Sequence, residues 1–346
     1  MPGYLLKHRA PRVQLALMAA LSLSTVLEAH AADAAWRITG RQVLDGPVRW
    51  DYLSVDSSRH HLFLTRGDHV DVFDTTSQRV VGTVANTPGV HGVAVAQDLD
   101  RGFTSNGGNN TVTVFALSSL EQLGTVPVGA KPDSIAYDPK TRRVFAANGK
   151  DKSLSVIDAA SSKVVATVTL AGTPETAVVD GNGRLFVALE DKNAIAVVDT
   201  QSAKVVGQYD VAAVCDEPAG LAIDMASARL YAGCHNQKMA IVDAATGKVL
   251  AAPSIGRGND ATAYDAARKL AFASNGDGTL TIVDGDAPFA VRQTVPTMPR
   301  ARTMALDPVA HALWLVSAEA EPAPATGAKR PALKPNTFTV LKVEAQ

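Results

Sequence analysis

A three-residue element, two small or apolar residues followed by an aspartate, returns along this chain about every 42 residues. It occurs as Ser54-Val55-Asp56, Ala136-Tyr137-Asp138, Val178-Val179-Asp180, Ala222-Ile223-Asp224, Ala263-Tyr264-Asp265 and Ala305-Leu306-Asp307. Val95-Ala96-Gln97 fills the missing place, so successive markers are 41, 41, 42, 44, 41 and 42 residues apart. A second column keeps the same register: Val72-Phe73-Asp74, Val114-Phe115-Ala116, Val156-Ile157-Asp158, Val197-Val198-Asp199, Ile241-Val242-Asp243 and Ile282-Val283-Asp284. One period held by a column of seven and a second column of six restricts the chain to stacked or ringed supersecondary units.

Each unit reads as four short strands. In the third, Ser134 to Tyr137, Arg143 to Ala147, Ser153 to Ile157 and Lys163 to Leu170 are separated by turn formers at Asp138-Pro139, Asn148-Gly149 and Asp158. The first strand is nearly all apolar, as an inner strand covered on both faces must be, whereas the third and fourth alternate. No helical periodicity appears after the N-terminal segment. Four-stranded units at this period predict an all-β, seven-bladed β-propeller. The seventh unit has a second strand at 311–316 and a third at 337–343, but no fourth follows. Arg37 to Leu44, followed by Asp45-Gly46-Pro47, resembles Val164 to Leu170 and the turn after it. The N-terminal strand is therefore predicted to close the last blade and hide its edge.

Two segments fall outside the repeat. Lys7, Arg9 and Arg12 precede an apolar run from Val13 to Leu27 and the small-x-small site Ala29-His30-Ala31. This is the pattern of a secretory signal peptide over residues 1–31, leaving a propeller over 32–346 in the periplasm or outside the cell, with no membrane insertion after cleavage. The second segment, 319–335, is rich in proline and alanine and reads as an exposed loop inserted into the last blade. With 33 basic and 34 acidic residues, no basic stripe and no aromatics spaced for stacking, nucleic acid is not the expected partner.

Phe145-Ala146-Ala147-Asn148, Phe103-Thr104-Ser105-Asn106, Phe272-Ala273-Ser274-Asn275 and Tyr231-Ala232-Gly233-Cys234 resemble the repeat of the bacterial β-propellers named for a Tyr-Val-Thr-Asn motif, the periplasmic YncE-like group. Val156-Ile157-Asp158 with Lys163 to Val168 fits the same group, and the likeness runs through the chain after the signal segment. The literal tetrapeptide is absent, and the second blade lacks both repeat aspartates. The resemblance implies the fold and a link to DNA or metal stress, and related seven-bladed folds include sugar lactonases. It carries no catalytic residue across, because the motif builds blades.

The position five residues before each marker holds Asp51, Gly92, Asp133, Glu175, Ala219, Asp260 and Arg302. In a propeller these positions share one channel mouth. His91, Glu217, Trp50, Tyr52 and Arg49 lie within two residues of them. Carboxylates gathered around one axis repel unless something positive stands among them, so Asp51, His91, Asp133, Glu175, Glu217, Asp260 and Arg302 are the candidate ligand-binding residues. A divalent cation, a small polar ligand or a protein partner would suit this mouth; a water-screened rim is the plain alternative. The repeat aspartates begin turns at the opposite face, and Asn106, Asn148 and Asn275 serve tight hairpins, with one or two available as ligand oxygens.

No nucleophile elbow, zinc-protease motif, phosphate loop or haem site is present in the sequence. Two classes remain: a noncatalytic binding propeller, and a metal-assisted lactonase or other hydrolase. Cys215, in the loop before the fifth blade, and Cys234, at the end of that blade's second strand, should meet on one face. Export favours a disulfide, with two buried thiols or a copper or zinc site including His235 as the alternatives.

Overall fold

The computed structural model describes residues 1–5, 35–322 and 331–346, and the chain divides into two units, Met1–Ala34 and Ala35–Gln346. In the first, residues 1–5 carry no regular secondary structure; the remainder of the expected signal peptide lies outside the described residues. The second unit consists of seven antiparallel sheets of four strands each. In six of them the strands follow in chain order, as in the third blade: Pro132–Asp138, Arg143–Asn148, Ser153–Asp158 and Lys163–Thr169.

The seventh blade departs from this order as its interrupted repeat demands. Met304–Asp307 pairs with Ala312–Ser317, which pairs with Phe338–Ala345, and Trp36–Leu44 completes the sheet as its outer strand. That pairing is antiparallel, from Trp36 opposite Ala345 to Leu44 opposite Phe338, with one bulge between Ile38 and Gly40. Each inner strand touches the inner strands of both neighbouring blades, and Leu53–Asp56 touches both Met304–Asp307 and Val90–Ala96, so the ring is closed.

The core lies between blades. Buried apolar side chains form seven clusters, each shared by two adjacent sheets. Every second strand supplies a large buried aromatic to this packing: Phe63, Phe103, Phe145, Phe186, Tyr231, Phe272 and Trp314. Outer strands cover one face and leave the other wet, which is why Val80, Val81, Val164, Val165, Val205 and Val206 remain exposed. The marker aspartates end inner strands and accept from their own turns, as when Asp138 Oδ1 takes the Lys140 N–H at 3.1 Å and Asp265 Oδ1 the Ala267 N–H at 3.0 Å. On that same face, Arg101, Arg143, Arg184 and Arg229 begin second strands and donate to backbone carbonyls of Ala159, Thr200, Ala244 and Gly285 in the next blade, at 2.7–2.8 Å. These arginines staple neighbouring blades together.

The inserted segment has a paired base. Ala320 bridges Leu333, and the Glu321 and Lys334 N–H groups donate to the carbonyls of Ala332 and Glu319, both at 2.8 Å. Among the described residues no helix is long and apolar enough to cross a membrane.

Candidate functional site

The mouth opposite the aspartate turns is built by the beginnings of the inner strands. In blades two to six the ladder to the second strand shifts register there, between Val90 and Gly92, Pro132 and Ile135, Pro174 and Ala177, Pro218 and Leu221, and Asn259 and Ala261. A bulge leaves its extra residues unpaired and re-aims their side chains. The residues freed in this way include His91, Asp133, Glu175, Ala219 and Asp260. Serines of the preceding blade then fix the backbone: Ser105 Oγ donates to the Asp133 carbonyl, Ser134 Oγ to that of Glu175 and Ser274 Oγ to that of Arg302.

Five sequence-predicted residues gather with a tyrosine at the axis. His91 Nδ1 lies 2.6 Å from Asp51 Oδ2 and 3.5 Å from Asp133 Oδ1. Tyr52 of the first blade donates its hydroxyl to Glu175 Oε1 of the fourth blade at 2.6 Å. In a ring of seven that bond crosses the channel. Asp260 points into the same throat and pairs with Arg302 Nε at 3.1 Å. Repulsion is felt through proton affinity. Burial, then the Asp133 charge, raises the Glu175 carboxyl to about 8. Burial lifts Asp133 to about 6 against the opposing pull of His91. Asp260 also rises to about 6 by burial, despite Arg302. Burial and the neighbouring carboxylates hold the Tyr52 hydroxyl well above its usual value, so it stays a donor. For His91, burial works against the imidazolium, but the Asp51 bond and the charges of Asp133 and Asp51 outweigh it and raise its basicity. Asp133 nevertheless keeps 30% of its side chain exposed, because it faces the open throat.

Asp51, His91 and Asp133 each offer a ligand atom within 4.8 Å of the others, a spread that could hold a divalent cation. Glu217 does not join them. It pairs with His235 Nδ1 at 2.7 Å, and together with Glu190 these form a second, outer triad of the same spread. Arg302 reaches the throat through Asp260 and also lines a neighbouring cavity of about 550 Å³ with Arg49 and Trp50.

Gly92 holds the ring position in the second blade, and the bulge beside it puts its neighbour His91 next to Asp51. Asn106, Asn148 and Asn275 are fully buried, and their amides donate to Thr113, Ser155 and Thr281 within their own hairpins at 2.9–3.1 Å. They brace the blades and do not face the mouth. Cys215 and Cys234 are joined, with Cα atoms 5.3 Å apart, which overturns the thiol and copper or zinc alternatives. Glu190, Arg257 and Arg300 escaped the sequence reading. Each stands in a mouth-side loop, where the repeat signal is weakest, and gains meaning only from neighbours on other blades.

No protein-family model matches the chain, and no curated protein matches it. Among solved structures it is similar to a chain described as Kuenenia stuttgartiensis hydrazine synthase, with a TM-score of 0.70 at 16% identity over 80% of this chain and 95% of that one. It is equally similar to a chain of a mitotic checkpoint complex, with a TM-score of 0.71 at 15% identity over 90% of this chain and 96% of the other. Proteins so different in setting share an architecture with this chain, and identities this low establish the seven-bladed fold alone.

Proposed function

We propose that this chain is an exported, noncatalytic β-propeller of the Tyr-Val-Thr-Asn, YncE-like kind, which binds a divalent cation at its channel mouth and presents it to a small polar ligand or protein partner. The basic-apolar-small pattern of residues 7–31 supports export, and the repeat pieces support the group. One observation carries the binding reading. Asp51, His91 and Asp133 converge within 4.8 Å while Glu175 and Asp260 crowd the same throat with raised proton affinities, an arrangement that a bound cation would relieve. Oxygen ligands joined by one imidazole suit a hard or borderline ion such as calcium or manganese.

The test uses protein stripped on a chelating resin and titrated with calcium or manganese by calorimetry and thermal shift. One ion per chain, a higher melting temperature and loss of both on Asp133→Asn support the reading. No heat and no shift with either metal reject it. A second reading, a metal-assisted lactonase or other hydrolase, draws on Glu175. Its carboxyl, at about 8 and bonded to Tyr52, is a proton donor at neutral pH next to the triad. Lactone turnover that disappears in Glu175→Gln would favour it over simple binding.

A further inference from the structure

Beside the acidic throat lies a cavity of opposite character. It holds about 550 Å³ and is lined by Arg49, Arg257, Arg300 and Arg302, with Trp50 and Leu333 as its apolar wall and Asp277 as the one carboxylate among the described residues that line it. Loops of the sixth and seventh blades, the segment before the first inner strand and Leu333 of the insertion build it together. Free guanidinium groups repel and would swing into solvent, yet two of these are held by polar partners and the stem of a third is packed. Arg300 donates through Nη2 to the Pro331 carbonyl at 2.7 Å, and Arg302 leans through Nε on Asp260 at 3.1 Å. The stem of Arg49 lies over Gly67, whose φ of +89° and bare backbone admit it; a Cβ there would stand 3.1 Å from Arg49 Cδ.

Arg257 is fixed at its base, its N–H donating to Asp277 Oδ2 at 2.7 Å. Thr279 also donates its hydroxyl to Asp277 at 2.7 Å, so much of the one negative group in the cavity is already engaged. Among the described residues, the side chains of Arg49 and Arg257 have no hydrogen-bonding or carboxylate partner. The apolar wall is equally fixed. Trp50 packs edge-on against Phe338 with ring centroids 5.8 Å apart, and Leu333 is placed by its bridge to Ala320.

We propose that this cavity binds a small organic anion, a carboxylate or phosphate ester with a flat apolar body. The guanidinium forks would take the oxyanion, and Trp50 with Leu333 would take the body. Guanidinium forks match carboxylate and phosphate oxygens in pairs, and a pocket of a few hundred Å³ with an aromatic wall is of metabolite size. This site is separate from the cation reading of the throat and does not require it.

Calorimetry on resin-stripped full-length protein tests the proposal; a soluble chelator is avoided because it is itself a polycarboxylate. Phenyl phosphate, phthalate, inorganic phosphate and phenol are titrated in turn. Phenyl phosphate or phthalate should bind once per chain, and at least tenfold more tightly than inorganic phosphate or phenol. A preference between the two would identify the phosphate or the carboxylate class. The Arg49→Ala, Arg257→Ala double variant should weaken binding tenfold or more at an unchanged melting temperature, and Trp50→Leu should remove the advantage of the aromatic probe. Arg257→Gln alone gives a milder check should the double variant fold poorly. Asp133→Asn should bind these probes as the wild type does, so failure of the cation reading leaves this one standing. The proposal is overturned if no probe binds at about 10 mM, if inorganic phosphate binds as tightly as phenyl phosphate, or if the arginine variants bind unchanged.

Discussion

The throat and the arginine cavity share one face of the propeller and meet at the Asp260–Arg302 ion pair, yet they are made differently. His91, Asp133, Glu175 and Asp260 of the throat stand on bulged inner strands, with the Asp133 and Glu175 backbones clamped by serines of the preceding blade, while Asp51 and Tyr52 lead directly into the first inner strand. Cavity residues stand on loops and on the insertion, held by single contacts such as Arg300 to Pro331. In the throat, burial pushes like charges toward protonation. In the cavity, Arg49 and Arg257 are exposed and their charges remain in contact with water. A strand-built site fixes geometry and stores electrostatic tension, while a loop-built site offers charge and adapts. The first suits an ion and the second an organic molecule.

The sharpest way to break this contrast is Asp133→Asn. It should weaken calcium or manganese binding by about a hundredfold and leave phenyl phosphate within twofold; equal losses in calorimetry would mean one site, not two. A smaller effect comes from pH. Glu175 at about 8 and Asp133 and Asp260 at about 6 all sit above their unfolded values, so the stabilisation from their bound protons is present at low pH and lost as pH rises through 6 and then 8. The melting temperature of metal-free protein should therefore fall by roughly 5 °C between pH 5 and 9, and Glu175→Gln should remove the upper part of the fall. Cation affinity should rise roughly tenfold over the same range because binding displaces those protons. Between about pH 7 and 9, where phenyl phosphate keeps its charge, the cavity should change little.

Salt should separate the two regions further. Raising sodium chloride from about 0.05 to 0.5 M should weaken phenyl phosphate binding by about fivefold, because exposed charges are screened most. The cation should lose less, as its ligands are crowded by protein. The smallest expected change in binding follows reduction of Cys215–Cys234, which pins the loop carrying Glu217 to the fifth blade. Both affinities should stay within twofold, while the melting temperature drops by an amount corresponding to about 3 kcal/mol on the loop-closure estimate.

Much of this arrangement was legible before the structure. The period, the turn aspartates and the missing outer strand are local signals, and Trp36–Leu44 pairs where the interrupted repeat requires. The disulfide followed from placing two cysteines on one blade. His91 was recovered only as a neighbour of the ring, because a bulge shifts the count by one and no residue type announces it. The stapling arginines Arg101, Arg143, Arg184 and Arg229 also kept the repeat, but their partners lie one blade away, and an intra-unit reading has no access to that distance. Arg257 and Arg300 were hidden for the same reason. Their significance is a meeting of the first, sixth and seventh blades with the insertion, which no single repeat encodes.

The seam between Trp36–Leu44 and Phe338–Ala345 also sets an order of events. The first strand of the ring to be synthesised has to wait for the last, so six sheets have all their strands available while the seventh still lacks three of its four. A copy cut short after Ser317 leaves Ala312–Ser317 as a bare edge and Trp36–Leu44 without a partner, both free to pair with another chain. Completion is therefore all or nothing. The ring joins only once Phe338–Ala345 has been made, and a product stopped before it betrays itself by what it leaves unpaired.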